Sequence, residues 1–209
     1  MDKKNRQRRL RLLVSKLNKE RKRQAKKIDI LCNDFIAAQR EFIKSLGIIS
    51  FAANFYESIV GITDPSTLIL AASKLIKNGL PNSNVAFFLR QSENFELHMF
   101  ESNQPIGLEK QQLENCFTAE LVSNICKSNK ICSLDDMFAM GLEGKPTLLN
   151  KISAVTIPLG EHGSAFGFIL AYRSSQNKLT DEEVNKIAAI CPGLSRAIQS
   201  CQTLSHPTD

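Results

Sequence analysis

Ser153-Ala154-Val155-Thr156-Ile157-Pro158-Leu159-Gly160-Glu161-His162-Gly163-Ser164-Ala165-Phe166-Gly167-Phe168-Ile169-Leu170-Ala171-Tyr172 is the stretch on which the fold class turns. Two runs rich in β-branched and aromatic residues, Ser153–Leu159 and Ser164–Tyr172, flank Gly160-Glu161-His162-Gly163. Turn-forming residues between two such runs predict an antiparallel hairpin. Downstream, Thr180-Asp181-Glu182-Glu183 has the spacing of a capping box, with Thr180 as the cap and Glu183 reaching back to it. The helix so opened carries Val184, Ile187, Cys191, Leu194, Ile198 and Cys201 at alternating intervals of three and four. Pro192 inside it predicts a kink or the start of a new helix.

Upstream, a second pair of strands is expected. Val85–Arg90 is a short apolar run, and Phe95–Phe100 alternates apolar and polar, with Gln91–Asn94 between them. Before these, Thr63 or Asp64 can cap a helix that begins at Pro65 and buries Leu68, Ala71, Ala72, Leu75 and Ile76. Asn78-Gly79 followed by Pro81 ends it, with Gly79 expected in the left-handed conformation of a C-terminal cap. Between the strand pairs, Leu113, Phe117, Leu121 and Ile125 predict an amphipathic helix from about Leu108 to Ser128. Lys130–Leu134 reads as a short strand, Asp135–Leu142 as a loop or a single helical turn, and Gly144–Asn150 as loop. The sum is an α+β sandwich, an antiparallel sheet of five or six strands flanked by helices.

The first 60 residues read as helix. Counting in sevens, the inward positions run Leu10, Val14, Leu17, Arg21, Gln24, Ile28, Leu31, Phe35, Ala38, Phe42, Ser45, Ile49, Ala52, Tyr56 and Ile59, the seam of a coiled coil. Arg21 and Gln24 interrupt it, and Gly47 marks either a bend, a new helix or a tolerated weak point in one rod. The predicted organisation is a basic arm, helical or disordered, at 1–27, an amphipathic coiled-coil helix at 28–60, the sheet domain at 61–204 and a tail at 205–209.

Charge divides the chain the same way. Residues 1–27 hold thirteen Lys and Arg against Asp2 and Glu20, a net of +11 in a chain whose total is +6, so the remainder is mildly acidic. Arg6, Arg8, Arg9, Arg11, Arg21, Lys22, Arg23, Lys26 and Lys27 are the candidate contacts for an anionic partner. Nucleic acid, a protein or a membrane surface all fit that charge, and a solvated tail fits it too. The arm has no aromatic residue to stack on bases, which argues against single-strand recognition.

No apolar run reaches the length of a membrane span, and no signal peptide is recognisable. The chain reads as a bacterial cytoplasmic protein whose six cysteines are reduced. His98, His162 and His206 have no metal-ligand partner at helical spacing, and no Walker, nucleophile-elbow or zinc-protease motif occurs. The sequence therefore predicts no enzyme, no metal site and no cofactor.

The order of elements resembles the GAF family of small-molecule sensor domains over about residues 49–203. The resemblance rests on the helix ending Leu75-Ile76, the strand ending Ile157-Pro158-Leu159, the glycine turn leading into Phe166-Gly167-Phe168-Ile169-Leu170, and the helix opened by Leu179-Thr180-Asp181-Glu182. Asn177-Lys178 with Asp181-Glu182 partly matches a signature of the cyclic-nucleotide-responsive members. Leu179 stands near that signature's expected Phe, so here the residues read as capping chemistry. PAS domains begin with strands and lack the helix at 64–78.

The resemblance implies a sensory or regulatory domain whose ligand sits between the sheet and the segment between the strand pairs. Carried over, it points to Cys126, Ser133, Asp135, Asp136, Met137, Phe138 and Met140, with Thr156 and Phe168 from the sheet, as a pocket that is either real or filled. It also implies pairing through terminal helices. A parallel homodimer is expected through Ile28, Leu31, Phe35, Phe42, Ile49, Val184, Ile187, Leu194 and Ile198, with any output passing through a partner. A structural adaptor, or a module docking through the basic arm, is the alternative. The free methionine-sulfoxide reductases are an enzymatic branch of the family, but their surrounding motif is missing around Cys116, Cys126 and Cys132.

Overall fold

A computed structural model describes residues 3–91, 94–100, 116–144, 149, 151–161 and 164–205. Contacts divide the chain into two units, Met1–Gly47 and Ile48–Asp209. Helix α1 spans Lys3–Ile59, so Gly47 neither ends it nor starts another. Within the first unit every described side chain is exposed. That includes the inward positions of the heptad count: Ile28, Leu31, Phe35 and Phe42 are 59–70% exposed.

The second unit begins with the last turns of α1, where the heptad positions change role. Phe55 and Ile59 are buried in the domain's own core, with Phe51, Ala52 and Tyr56 packed against it. The exposed stripe therefore stops at Ile49, which is 64% exposed. Helix α2, Pro65–Gly79, is capped by Asp64, whose carboxylate accepts the Thr67 N–H at 2.7 Å. Its end differs from expectation. Gly79 stays in the helix, and the N–H of Leu80 closes the last turn onto the Ile76 and Lys77 carbonyls. A glycine is needed there for space, because a Cβ would come within 2.8 Å of the Phe51 ring.

Strands β1 (Asn84–Gln91), β2 (Asn94–Phe100), β3 (Cys132–Ser133), β4 (Ile152–Glu161) and β5 (Ser164–Ser174) form one sheet in the order β2-β1-β5-β4-β3. Every neighbouring pair is antiparallel. Both predicted hairpins are present, closing at Gln91↔Asn94 and Glu161↔Ser164. The turn residues His162 and Gly163, like His206 in the tail, lie outside the described residues, as do Leu113 and most of the predicted loop 144–150.

Hydroxyl caps start two short helices on the far side of the sheet, and one of them shortens the strand predicted at 130–134. Helix α3 covers Ala119–Ser128 and is capped by Thr118, whose hydroxyl accepts the Leu121 N–H; residues 108–115 of the predicted helix lie outside the described residues. Cys116 therefore precedes α3 and is not part of it. Strand β3 stops after two residues because Ser133 caps helix α4, Leu134–Ala139. Asp136 returns the bond to Ser133, completing a capping box.

Alternation along the strands gives each face its own core. On one side Val85, Phe87, Leu89, Ile157, Leu159, Ile169 and Ala171 meet α2, the end of α1 and helix α5, Asp181–Ser205. On the other, Ala86, Phe88, Leu97, Ala154, Phe168 and Leu170 meet α3 and α4. The architecture is thus an antiparallel sheet between two helical layers.

Helix α5 corrects two expectations. Val184, Ile187, Leu194 and Ile198 do not form a partner-facing seam. Ile187, Leu194 and Ile198 are at most 1% exposed, and Val184 packs half-buried on the same cluster. Their three/four spacing serves the domain's own sheet and α2. Nor does Pro192 divide the helix. Proline lacks the N–H that would bond Ala188 O, four residues back, and the next two carbonyls of that turn are met by Tyr56. Its hydroxyl donates to Ala189 O at 3.1 Å, with Ile190 O at 3.3 Å.

The ring gets this close because residue 193 is glycine. A Cβ at Gly193 would lie 2.2 Å from Tyr56 Cε1. Overpacking of this kind costs about 1–3 kcal/mol, so Gly193→Ala is expected to lower the melting temperature by roughly 3–10 °C for a chain of this size. Gly47→Ala, where a Cβ meets nothing within 4 Å, is expected to leave it unchanged or raise it. Thermal melts of both variants followed by circular dichroism check the pair.

Candidate functional site

The face of the sheet covered by α3 and α4 is the candidate site. From the sheet it is built by Ala86 and Phe88 of β1, Ala154 of β4, and Phe168, Leu170 and Tyr172 of β5. Opposite stand Leu121, Val122, Ile125 and Cys126 on α3, and Met137 on α4. At its centre three rings fill the space. Phe88 stacks on Phe168 with centroids 4.7 Å apart, and Phe117 closes on both at 4.9 and 6.0 Å. Offset aromatic packing of this kind adds about 0.5–1.5 kcal/mol per pair beyond simple burial.

The nine residues expected to line a pocket separate into three groups. Cys126, Met137 and Phe168 do come together in this core, with Met140 packed half-buried against it. Ser133 and Asp136 are on the surface and occupied by the cap. Ser133 N and Oγ both donate to Asp136 Oδ2, at 2.8 and 2.6 Å, and Asp136 N donates back at 3.3 Å. Asp135 is exposed in the first turn of α4, and Phe138 is 39% exposed. Thr156 is fully buried, and its hydroxyl donates to Cys132 O at 3.5 Å. No polar group of the nine therefore converges on a common point.

Little room is left among the described residues. The void enclosed by Phe117, Met137, Leu142, Leu149, Leu170 and Tyr172 measures about 10 Å³, at most enough for one water. The Tyr172 hydroxyl bordering it is directed to Met99 Sδ at 3.6 Å. Thiol chemistry is also muted here. Burial pushes the Cys126 thiol up to about 11 and raises that of Cys116, the opposite of the shift a nucleophilic thiolate requires. Among the described residues no three His, Cys, Asp or Glu side chains gather as a metal site, and no helix is long and apolar enough to cross a membrane.

Structures of known proteins match this geometry. A GAF-domain/HD-domain protein from Geobacter sulfurreducens superposes with a TM-score of 0.55 at 15% identity, over 69% of this chain and 97% of that one. The fold is that of a GAF domain. The GAF domain of a phosphoenolpyruvate-protein phosphotransferase from Coxiella burnetii gives 0.57 at 12% identity, over 77% of this chain and 97% of that one. A chain solved in a far-red absorbing dark state with bound biliverdin IXα gives 0.54 at 13% identity, over 73% and 99%. Neither the family models nor the curated proteins give a match.

One residue that matters to this GAF fold was not singled out from the sequence. Arg173, at the end of β5, is 3% exposed and lies in alternation with Ile169 and Ala171 on the α5 side of the sheet. Its guanidinium meets Glu183 with both ends of the fork, Nη1 to Oε1 at 2.8 Å and Nη2 to Oε2 at 2.7 Å. It also donates from Nε to Asn177 O at 2.5 Å and from Nη2 to Lys178 O at 2.6 Å. Glu183 meanwhile accepts the Thr180 N–H and hydroxyl at 2.8 and 2.9 Å. Asn177-Lys178 and the acidic helix start therefore serve a brace, with the two carbonyls as its acceptors. The readable signal was a cation in line with core residues, ten positions before the capping glutamate.

Burial alone would raise the Glu183 carboxyl, and this is the largest single influence on it. The hydrogen bonds from Arg173 and Thr180 and the Arg173 charge together outweigh it and hold the carboxyl below its ordinary 4.5. The folded state thus binds this proton less readily than the unfolded chain. The contribution is complete above about pH 4.5 and is lost as pH falls through the folded value. Asp64 and Asp136 are lowered in the same sense by bonds from Thr67 and Ser133, so acid loss is shared among three carboxylates. Glu183→Gln leaves Arg173 buried without its counter-charge and is expected to cost on the order of 3 kcal/mol near neutral pH. Between about pH 5 and pH 3 the variant should lose less stability than the wild type. Urea unfolding across that range reads both effects.

Proposed function

We propose that this protein is a non-catalytic regulatory module that works through protein contacts and homodimerises along α1. The observation that carries the reading is the apolar stripe on that helix. Ile28, Leu31, Phe35, Phe42 and Ile49 are each 59–70% exposed, at the intervals of a coiled-coil seam, and Ile36, Ile43 and Leu46 widen it. A contiguous apolar surface of this extent marks an interaction site on a protein in water. With the α5 positions used inside the domain, α1 alone supplies the pairing surface.

The neighbours of this fold include a far-red absorbing chain with bound biliverdin, so a ligand-binding role is the natural comparison. The filled aromatic core and the void of about 10 Å³ favour regulation by assembly over regulation by a stored ligand. A non-catalytic role is supported by the raised Cys116 and Cys126 thiols.

Light scattering on a sizing column tests the assembly. At tens of micromolar a mass of two chains is expected, and Phe35→Glu with Phe42→Glu is expected to give one chain. A wild-type protein that runs as a monomer sinks the proposal. Native mass spectrometry tests the filled face: the expected mass is that of protein alone. A retained small molecule would return the protein to the class of ligand sensors.

A further inference from the structure

The part of α1 ahead of the stripe carries a different surface, with its own geometry. Over residues 5–27 every side chain is exposed, and the cations are not spread evenly. Arg8, Lys19, Lys22 and Lys26 fall along one flank of the helix at 100° per residue. Arg9, Lys16, Arg23 and Lys27, spaced by seven, seven and four, fall along a second flank about a quarter-turn away. The apolar Leu10, Val14 and Leu17 occupy the opposite side, in line with Ile28 and Phe35. Arg21 and Gln24 then take two successive inward positions and break that line.

We propose that residues 3–27 of α1 are a docking surface for duplex DNA, laid in the major groove with one basic flank toward each phosphate strand. This rests on the paired α1 helices proposed above, because pairing along Ile28–Ile49 brings the two basic arms to the same end. A helical face dominated by cations, with Leu12 and Ser15 among them, complements a polyanion. Its two ridges suit a groove with walls of phosphate on both sides. The major groove of B-DNA, about 12 Å wide, admits an α-helix, whereas the deep, narrow groove of an RNA duplex does not.

Length agrees as well: 25 helical residues span about 37 Å, close to one helical turn of DNA. A parallel pair brings two arms of net +11 to the same end. Their repulsion, with Arg21 and Gln24 at the seam, keeps the arms apart, so the pair forks as basic helices do when they straddle a duplex. A lipid surface suits the arm less. Its apolar side is short, is cut by Arg21 and has no aromatic residue to anchor at the interface. The contacts are to backbone phosphates, so recognition is independent of base sequence.

Fluorescence anisotropy of the full-length protein with a labelled 24-base-pair DNA of arbitrary sequence tests this. Affinity is expected to fall roughly 10³-fold or more between 50 and 200 mM salt, as for six or more phosphate contacts. Combined Lys19→Glu, Lys22→Glu and Arg23→Glu substitution is expected to weaken binding at least 100-fold while the protein stays dimeric by light scattering. Lys44→Glu with Lys74→Glu, which makes the same kind of charge change outside the arm, is expected to weaken it less than threefold.

RNA duplex of equal length, phosphatidylserine vesicles and polyglutamate are the competing arms of the assay. Equal or tighter binding to any of them overturns the assignment, as does DNA binding that survives the arm substitutions. The two proposals fail separately. A wild-type monomer that still binds DNA, with about half the salt slope, removes the dimer and keeps the arm, whereas a dimer that ignores DNA removes the arm alone.

Discussion

The Arg173–Glu183 pair braces a junction that the apolar face of α5 also packs in place. It joins the end of the last strand to the first turn of the last helix, and fixes the carbonyls of the loop between them. A loop of polar residues has little apolar surface with which to order itself. Here ordering comes from one planar, permanently charged group that can make several bonds at once. The helix it positions then covers the sheet, meets α2, and receives the Tyr56 ring at Gly193. The pair thus connects the central strand of the sheet, through α5, to the end of α1.

How far the sequence foretold this differs from place to place. Strand pairs, their turns and the two capping glutamate or aspartate positions were legible, because alternation and capping act within a few residues. The hairpin at Gly160–Gly163 and the Thr180–Glu183 box needed no knowledge of the rest of the chain. Arg173 was missed because its partners are a glutamate and two carbonyls that only the folded loop brings round. The three/four spacing in α5 was read as a surface for a second copy. Periodicity reports that one face of a helix is buried, not what buries it. The same ambiguity ran the other way in α1, where one heptad line is covered by the domain from Ala52 onward and exposed before it.

The candidate site shows the limit most sharply. Element order brought Cys126, Met137 and Phe168 together on one face of the sheet, where they do meet. Whether that face is hollow is a matter of side-chain volume summed over distant segments. Phe88, Phe117 and Phe168 come from three separate elements, and no local pattern marks them as neighbours. Ser133, Asp135 and Asp136 were expected to line a pocket because the family resemblance places a ligand against the segment they belong to. In the structure two of them are spent on starting a six-residue helix, which is what short polar residues before an apolar run most often do.

The aromatic stack has a further meaning for how such a fold changes over evolutionary time. Three rings plug the face, and each is a single codon's worth of volume. Shortening Phe117 to alanine would remove most of a ring without touching a strand or a cap, and a dry apolar hole of that kind accepts small hydrophobic guests. The distance between a packed face and a hollow one is then measured in methylenes and not in topology. A lineage could cross it in either direction by ordinary point substitution, at a cost in stability that the rest of the core can absorb.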